Sequence, residues 1–89
     1  MMMFVIMVYD IEVPRVANVL KVSRKYLNWV QNSVFEGEIG KAGLERFKKS
    51  ITSIIDEKKD SVIFYEFRTT KYYNRSVLGI EKAPQGVIL

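Results

Sequence analysis

Residues Met3 to Tyr9 form an unbroken apolar run that stops on a charge, Asp10. The whole apolar stretch from Met1 to Tyr9 is about half of the roughly 20 residues that a membrane span needs, and the length and side chains of its Met3–Tyr9 part suit a strand buried on both faces. Such a strand commits the chain to a sheet with packing on each side. It also delivers one carboxylate to a fixed position at its end.

The rest of the sequence supplies the partners for that strand. A loop through Asp10, Ile11, Glu12 and Val13 leads to Pro14, a favoured first helical residue, and a helix is expected over Pro14 to Tyr26. Val16, Val19, Leu20, Tyr26 and Leu27 make its apolar stripe, with Lys21, Arg24 and Lys25 on the opposite side. From Trp29 to Ile39 β-branched and aromatic residues predict a second strand that bends into a short third one. Leu44, Phe47, Ile51, Ile54 and Ile55 then recur at helical spacing and predict a second helix reaching Lys58. A fourth strand follows Asp60 and Ser61 through Val62 to Phe67, and a fifth is expected from Ser76 to Ile80, before Pro84 and Gly86.

The order β-α-β-β-α-β, with an extra strand at the C-terminal end, is that of an α+β ferredoxin-like fold, in which both helices pack on one face of an antiparallel sheet. At 89 residues the chain is expected to be one domain, residues 1–80 forming its core and 81–89 a tail. The layout leaves the other sheet face open. Phe64, Val62 and alternate members of Phe4 to Val8 would make that face a large apolar patch, so the sheets of two copies are expected to stack as a homodimer. The competing arrangement has the tail fold back over the open face. The fifth strand adds to a sheet edge, of its own subunit or of its partner's.

Composition narrows the chemistry. With no histidine and no cysteine, the chain has no imidazole base, no thiolate nucleophile and no sulfur ligand for zinc. Any metal must be a hard cation held by oxygen. Copies of Asp10 brought together near a two-fold axis would repel unless a cation or a shared proton lay between them, and Mg2+, which binds through one or two carboxylates plus phosphates, meets that need. Glu12 is a further acid in the same loop. Arg15, at the start of the first helix, is a planar fork suited to phosphate or to an ion pair with Glu12. The net charge of +4 and the separated clusters Lys21, Arg24 and Lys25, then Lys48 and Lys49, then Lys71 and Arg75, fit a long polyanionic backbone as well as they fit solvated faces. Tyr9 and Phe35 are candidates for base stacking or for the core. No cationic stretch precedes the first apolar run as in a signal peptide, and a cytoplasmic location is expected.

Val8-Tyr9-Asp10-Ile11 closing the first strand, Arg15 opening the first helix and Val30-Gln31-Asn32-Ser33-Val34-Phe35-Glu36-Gly37 across the next two strands together resemble the CRISPR-associated Cas-two family. The resemblance covers nearly the whole chain, extending to Ser61-Val62-Ile63-Phe64-Tyr65 and to a final strand near Val77 to Ile80. It implies a ferredoxin-like homodimer that acts in spacer acquisition, bridging dimers of the Cas-one integrase and holding DNA on basic surfaces. It further implies, for some members, a metal-dependent endonuclease acting on RNA or DNA, with Asp10 as the Mg2+ ligand at the dimer interface. Two departures stand out. The loop Ile11-Glu12-Val13-Pro14 is less acidic than in some relatives, and Asn32, grouped here with the nucleic-acid-binding residues, occupies a position where some relatives carry arginine.

Three functions compete on these residues. One is an endonuclease built on paired Asp10 carboxylates. Another is a non-catalytic scaffold whose charges position nucleic acid. The last is a single-stranded RNA-binding module on the same fold, although the chain lacks the glycine-aromatic signature of that class. A small-molecule regulatory domain would need a glycine-rich turn after the first strand, which is also missing.

Overall fold

The computed structural model describes residues 2–68 and 73–81. Its elements run β1 (Met2–Asp10), α1 (Val13–Tyr26), β2 (Asn28–Gln31), β3 (Val34–Gly40), α2 (Lys41–Ile54), β4 (Ser61–Phe67) and β5 (Tyr73–Gly79). The strands form one antiparallel sheet in the order β2-β3-β1-β4-β5. This is the expected ferredoxin-like order with β5 added outside β4 of the same chain. The expected tail after residue 81, with Pro84 and Gly86, lies outside the described residues, as does Lys71.

Alternation along β1 sorts its side chains between two faces. Met3, Val5, Met7 and Tyr9 are buried in the core with Phe35, Ile39, Val62 and Phe64, beneath Val19, Leu44, Phe47 and Ile51 of the helices. Aromatic contacts tie the layers together: Tyr26 stacks on Phe47 at 4.8 Å between centroids, and Phe47 meets Phe64 edge-on at 5.5 Å. Phe4, Ile6, Val8 and Asp10 belong to the opposite face, where Phe4 is 37% exposed and Ile6 and Val8 are half-buried. The sequence predicted burial on both faces of β1 and put Phe64 and Val62 on the open face. They pair instead with Met7 and Tyr9 on the helix side, and Ile63 and Tyr65, opposite Val8 and Ile6, belong to the open face. In the single chain only the helix-facing side is buried, because both helices lie on that side, whereas β4 is buried from Ser61 through Tyr65.

Two boundaries differ from the sequence reading by more than a residue. Helix α2 stops at Ile54, short of Lys58, because the chain turns there: Lys59 N–H and Asp60 N–H both donate to the Asp56 carbonyl, at 3.0 and 2.8 Å. Strand β5 begins at Tyr73, ahead of Ser76, since β4 offers it a partner along its whole length. At the far end of β5, Gly79 adopts φ +84°, and a Cβ there would stand 2.0 Å from the Asp60 carbonyl oxygen. Only glycine meets both conditions. The next N–H, of Ile80, donates to that same carbonyl at 3.0 Å.

Candidate active site at the end of β1

Antiparallel pairing brings the end of β1 and the start of β4 together, with Asp10 opposite Ser61. Two aspartates therefore meet at one end of the sheet in different surroundings. Asp10 is exposed at the last position of β1, on the face turned from the helices. Asp60, the residue before β4, is completely buried.

Asp60 is held by four hydrogen bonds. Arg15 Nε donates to its Oδ2 at 2.5 Å and Arg15 Nη2 to its Oδ1 at 3.0 Å. The backbone N–H groups of Glu12 and Asp56 complete the set, each at 2.9 Å. The Arg15 guanidinium fork holds the Asp60 carboxyl far below the usual carboxylate range, against the opposing effect of burial. The same pairing raises Arg15 above its ordinary value. Charged hydrogen bonds of this kind are the strong ones, and here they also complete α1. The first turn of that helix has no acidic residue, and Glu12 at its N-cap makes no side-chain cap bond. A carboxylate from the α2–β4 turn accepts the N-cap N–H instead and places negative charge at the positive end of the helix.

Arg15, predicted to choose between phosphate and Glu12, is engaged by Asp60 and also donates to Glu12 Oε1 at 3.1 Å. The sequence reading missed Asp60. A signal for it existed, because an acid closing one apolar strand and an acid opening another meet once those strands are antiparallel neighbours.

The remaining candidate residues divide between surface and core. Lys21, Arg24 and Lys25 are exposed along α1. Phe35 is fully buried and Tyr9 nearly so, their rings 6.0 Å apart, so that neither presents a face to a base. Burial raises the Tyr9 pKa, with the nearby Arg24 acting in the opposite sense. Asn32 forms the β2–β3 turn at φ 43°, a left-handed conformation that asparagine tolerates better than most residues. Its carbonyl accepts hydrogen bonds from Tyr9 Oη at 3.3 Å and from Trp29 Nε1 at 3.0 Å. Lys48 donates to Glu66 at 2.6 Å and to Ser76 at 3.0 Å, while Lys49 is exposed. Arg75 donates to Tyr65 Oη at 3.2 Å and pairs with Glu81.

Among the described residues no group of three or more acidic side chains is arranged to hold a metal within one chain. Asp10 is the acid that β1 itself places on the open face at this end of the sheet. A second copy would have to supply more oxygen, or the ion would have to keep most of its water. Mg2+ accepts both conditions, so the donor set fits it if the site is shared.

The family model described as "CRISPR associated protein Cas2" matches residues 3–75. A "CRISPR-associated endoribonuclease Cas2" of Dictyoglomus turgidum is 56% identical over 87 residues, covering 98% of this chain and 100% of the relative. A protein of the same name from Thermotoga maritima is 51% identical, covering 97% and 99%. A solved structure described as "Crystal structure of cas2" superposes with a TM-score of 0.75 at 40% identity, covering both chains completely. No helix among the described residues is long and apolar enough to cross a membrane.

Proposed function

The chain belongs to the CRISPR-associated protein Cas2 family, and from that premise we propose that it is a CRISPR adaptation protein that hydrolyses phosphodiester bonds in nucleic acid. We further propose that it works as a homodimer, residues 1–89 of each copy acting as one unit, with one Asp10 from each copy in a shared Mg2+ site. The reading rests above all on one placement: Asp10 lies on the same open face as the apolar residues that need covering. Stacking two copies through Phe4, Ile6 and Val8 would bury that patch and draw both Asp10 carboxylates toward the two-fold axis.

Nearby groups would act as follows. Asp10 would supply oxygen to hold the shared cation. A bound Mg2+ would neutralise charge on the phosphodiester and favour deprotonation of water. Asp60 and Arg15 fix the chain just after Asp10, so the carboxylate need not be ordered at the moment of reaction. Lys21, Arg24 and Lys25 carry positive charge along α1 toward the nucleic-acid backbone, each contact releasing counterions and steepening the salt dependence. Asn32 contributes at the neighbouring turn, and Tyr9 and Phe35 support the strand from beneath. The family resemblance extends the partners to the Cas-one integrase, which the dimer would bridge, in the cytoplasm.

A non-catalytic scaffold is the second reading. It draws support from the lack of a three-acid cluster among the described residues. Cleavage of a labelled single-stranded RNA in Mg2+ separates the two. Wild type is expected to cut, and Asp10→Asn to lose at least about a hundredfold in rate while still binding the strand. Equal cutting by the two proteins would remove Asp10 from the chemistry, and binding without cutting by wild type would select the scaffold.

A further inference from the structure

Trp29, the single tryptophan of the chain, is 58% exposed in an edge strand. An aromatic of this size is ordinarily among the more buried side chains. Its register explains where it lies: Trp29 pairs with Phe35, which pairs with Met7 on β1, so Trp29 continues the helix-facing row Met7–Phe35 outward to the sheet edge. A dimer stacked through the opposite face would leave it uncovered.

The indole is also held in place. Its Nε1–H donates to the Asn32 carbonyl, which accepts the Tyr9 hydroxyl as well. The turn is in turn joined to β1 by the Tyr9 N–H, which donates to the Ser33 carbonyl at 3.1 Å. An exposed ring fixed through its only polar atom loses little conformational freedom on binding and keeps a flat apolar surface available. Arg24 acts electrostatically on the Tyr9 hydroxyl, which shares the Asn32 carbonyl with the indole, and Arg24 and Lys25 are exposed in the last turn of α1.

We propose that Trp29 is a stacking platform for an unpaired nucleobase of the bound strand, with Arg24 and Lys25 contacting the adjoining phosphates. The proposal builds on the nucleic-acid reading above and narrows its ligand to strands with unpaired bases. A base inside a duplex has no free face for the ring, whereas every unpaired base has one. Trp29 is thereby a binding residue and has no part in bond breaking.

The single tryptophan makes the test direct. Indole emission and the anisotropy of a labelled 12-nucleotide strand are followed together, in EDTA to prevent cleavage, with single-stranded RNA, single-stranded DNA and the matching duplexes as probes. Single strands are expected to quench the emission in step with the anisotropy rise, and duplexes to bind without quenching. The RNA and DNA arms show which sugar the site accepts. Trp29→Ala should bind single strands about tenfold more weakly, Trp29→Phe should recover most of that loss, and in Mg2+ the alanine variant should raise KM more than it lowers kcat. Unchanged affinity in Trp29→Ala, with a wild-type melting profile, overturns the proposal and leaves the nucleic-acid reading intact, as does anisotropy without quenching for single strands. Emission changes that follow protein concentration alone would assign Trp29 to contact between copies. Failure of wild type to bind any strand overturns both readings together.

Discussion

Asp10 and Asp60 occupy the same end of the sheet, one closing β1 and one preceding β4, and share a side-chain chemistry, yet their surroundings differ completely. Asp60 has no exposure and four hydrogen-bond donors. Asp10 lies exposed at the end of β1. A carboxylate fully supplied with donors joins elements together, here the β1–α1 connection, the α2–β4 turn and, through its own backbone carbonyl, the end of β5. A carboxylate on the surface beside such a joint is carried on a rigid support and faces solvent. Catalytic arrangements need that division, because a reacting group has to be both fixed and accessible.

The largest effect is expected from the backbone side of this joint. Gly79→Ala places a methyl group against the Asp60 carbonyl at a φ that alanine disfavours, and should cost roughly 4 kcal/mol or more in urea unfolding. A loss under about 1 kcal/mol would mean that the turn relaxes freely and that Asp60 is not a rigid joint. Asp60→Asn removes the charge and leaves Arg15 facing a neutral partner. It should cost about 3 kcal/mol by the same measurement.

Acid titration sharpens the contrast further. The Asp60 pKa is lower in the folded chain than the ordinary aspartate value, chiefly because of Arg15. Its stabilising contribution is therefore complete above the unfolded pKa of about 3.9 and declines as pH falls below it toward the folded value. The stability gap between wild type and Asp60→Asn should stay constant from pH 7 to 5 and narrow below about pH 4. A gap that instead widened on acidification would contradict the assignment. The smallest effect belongs to Asp10→Asn, which should change unfolding free energy by less than about 0.5 kcal/mol while removing activity. A large destabilisation would make Asp10 a second structural carboxylate and erase the comparison.

The fold was legible in the sequence where patterns are local. Pro14 and the stripe from Val16 to Leu27 define α1, and the change of period after Leu27 marks the β2–β3 pair. An acid at the end of an apolar strand draws attention to Asp10, and the structure places it exposed at the end of β1. Asp60 escaped because its partners are distant along the chain, Arg15 by 45 positions and Glu12 by 48, and because an aspartate between a helix and a strand resembles any turn residue. Lys48 illustrates the same limit. Read along the sequence it joins Lys49 in a basic cluster, but Glu66 and Ser76, which hold it, come from β4 and β5. Trp29 reads as a strand residue in the sequence, and only the strand order puts it on an exposed edge.

Shared ligation by Asp10 is the central claim, and calorimetric titration of Mg2+ into wild type and Asp10→Asn at neutral pH tests it most directly. The account predicts one ion for every two chains in wild type and no measurable site in the variant, both proteins remaining dimeric. One ion per chain, or undiminished binding in Asp10→Asn, would contradict it.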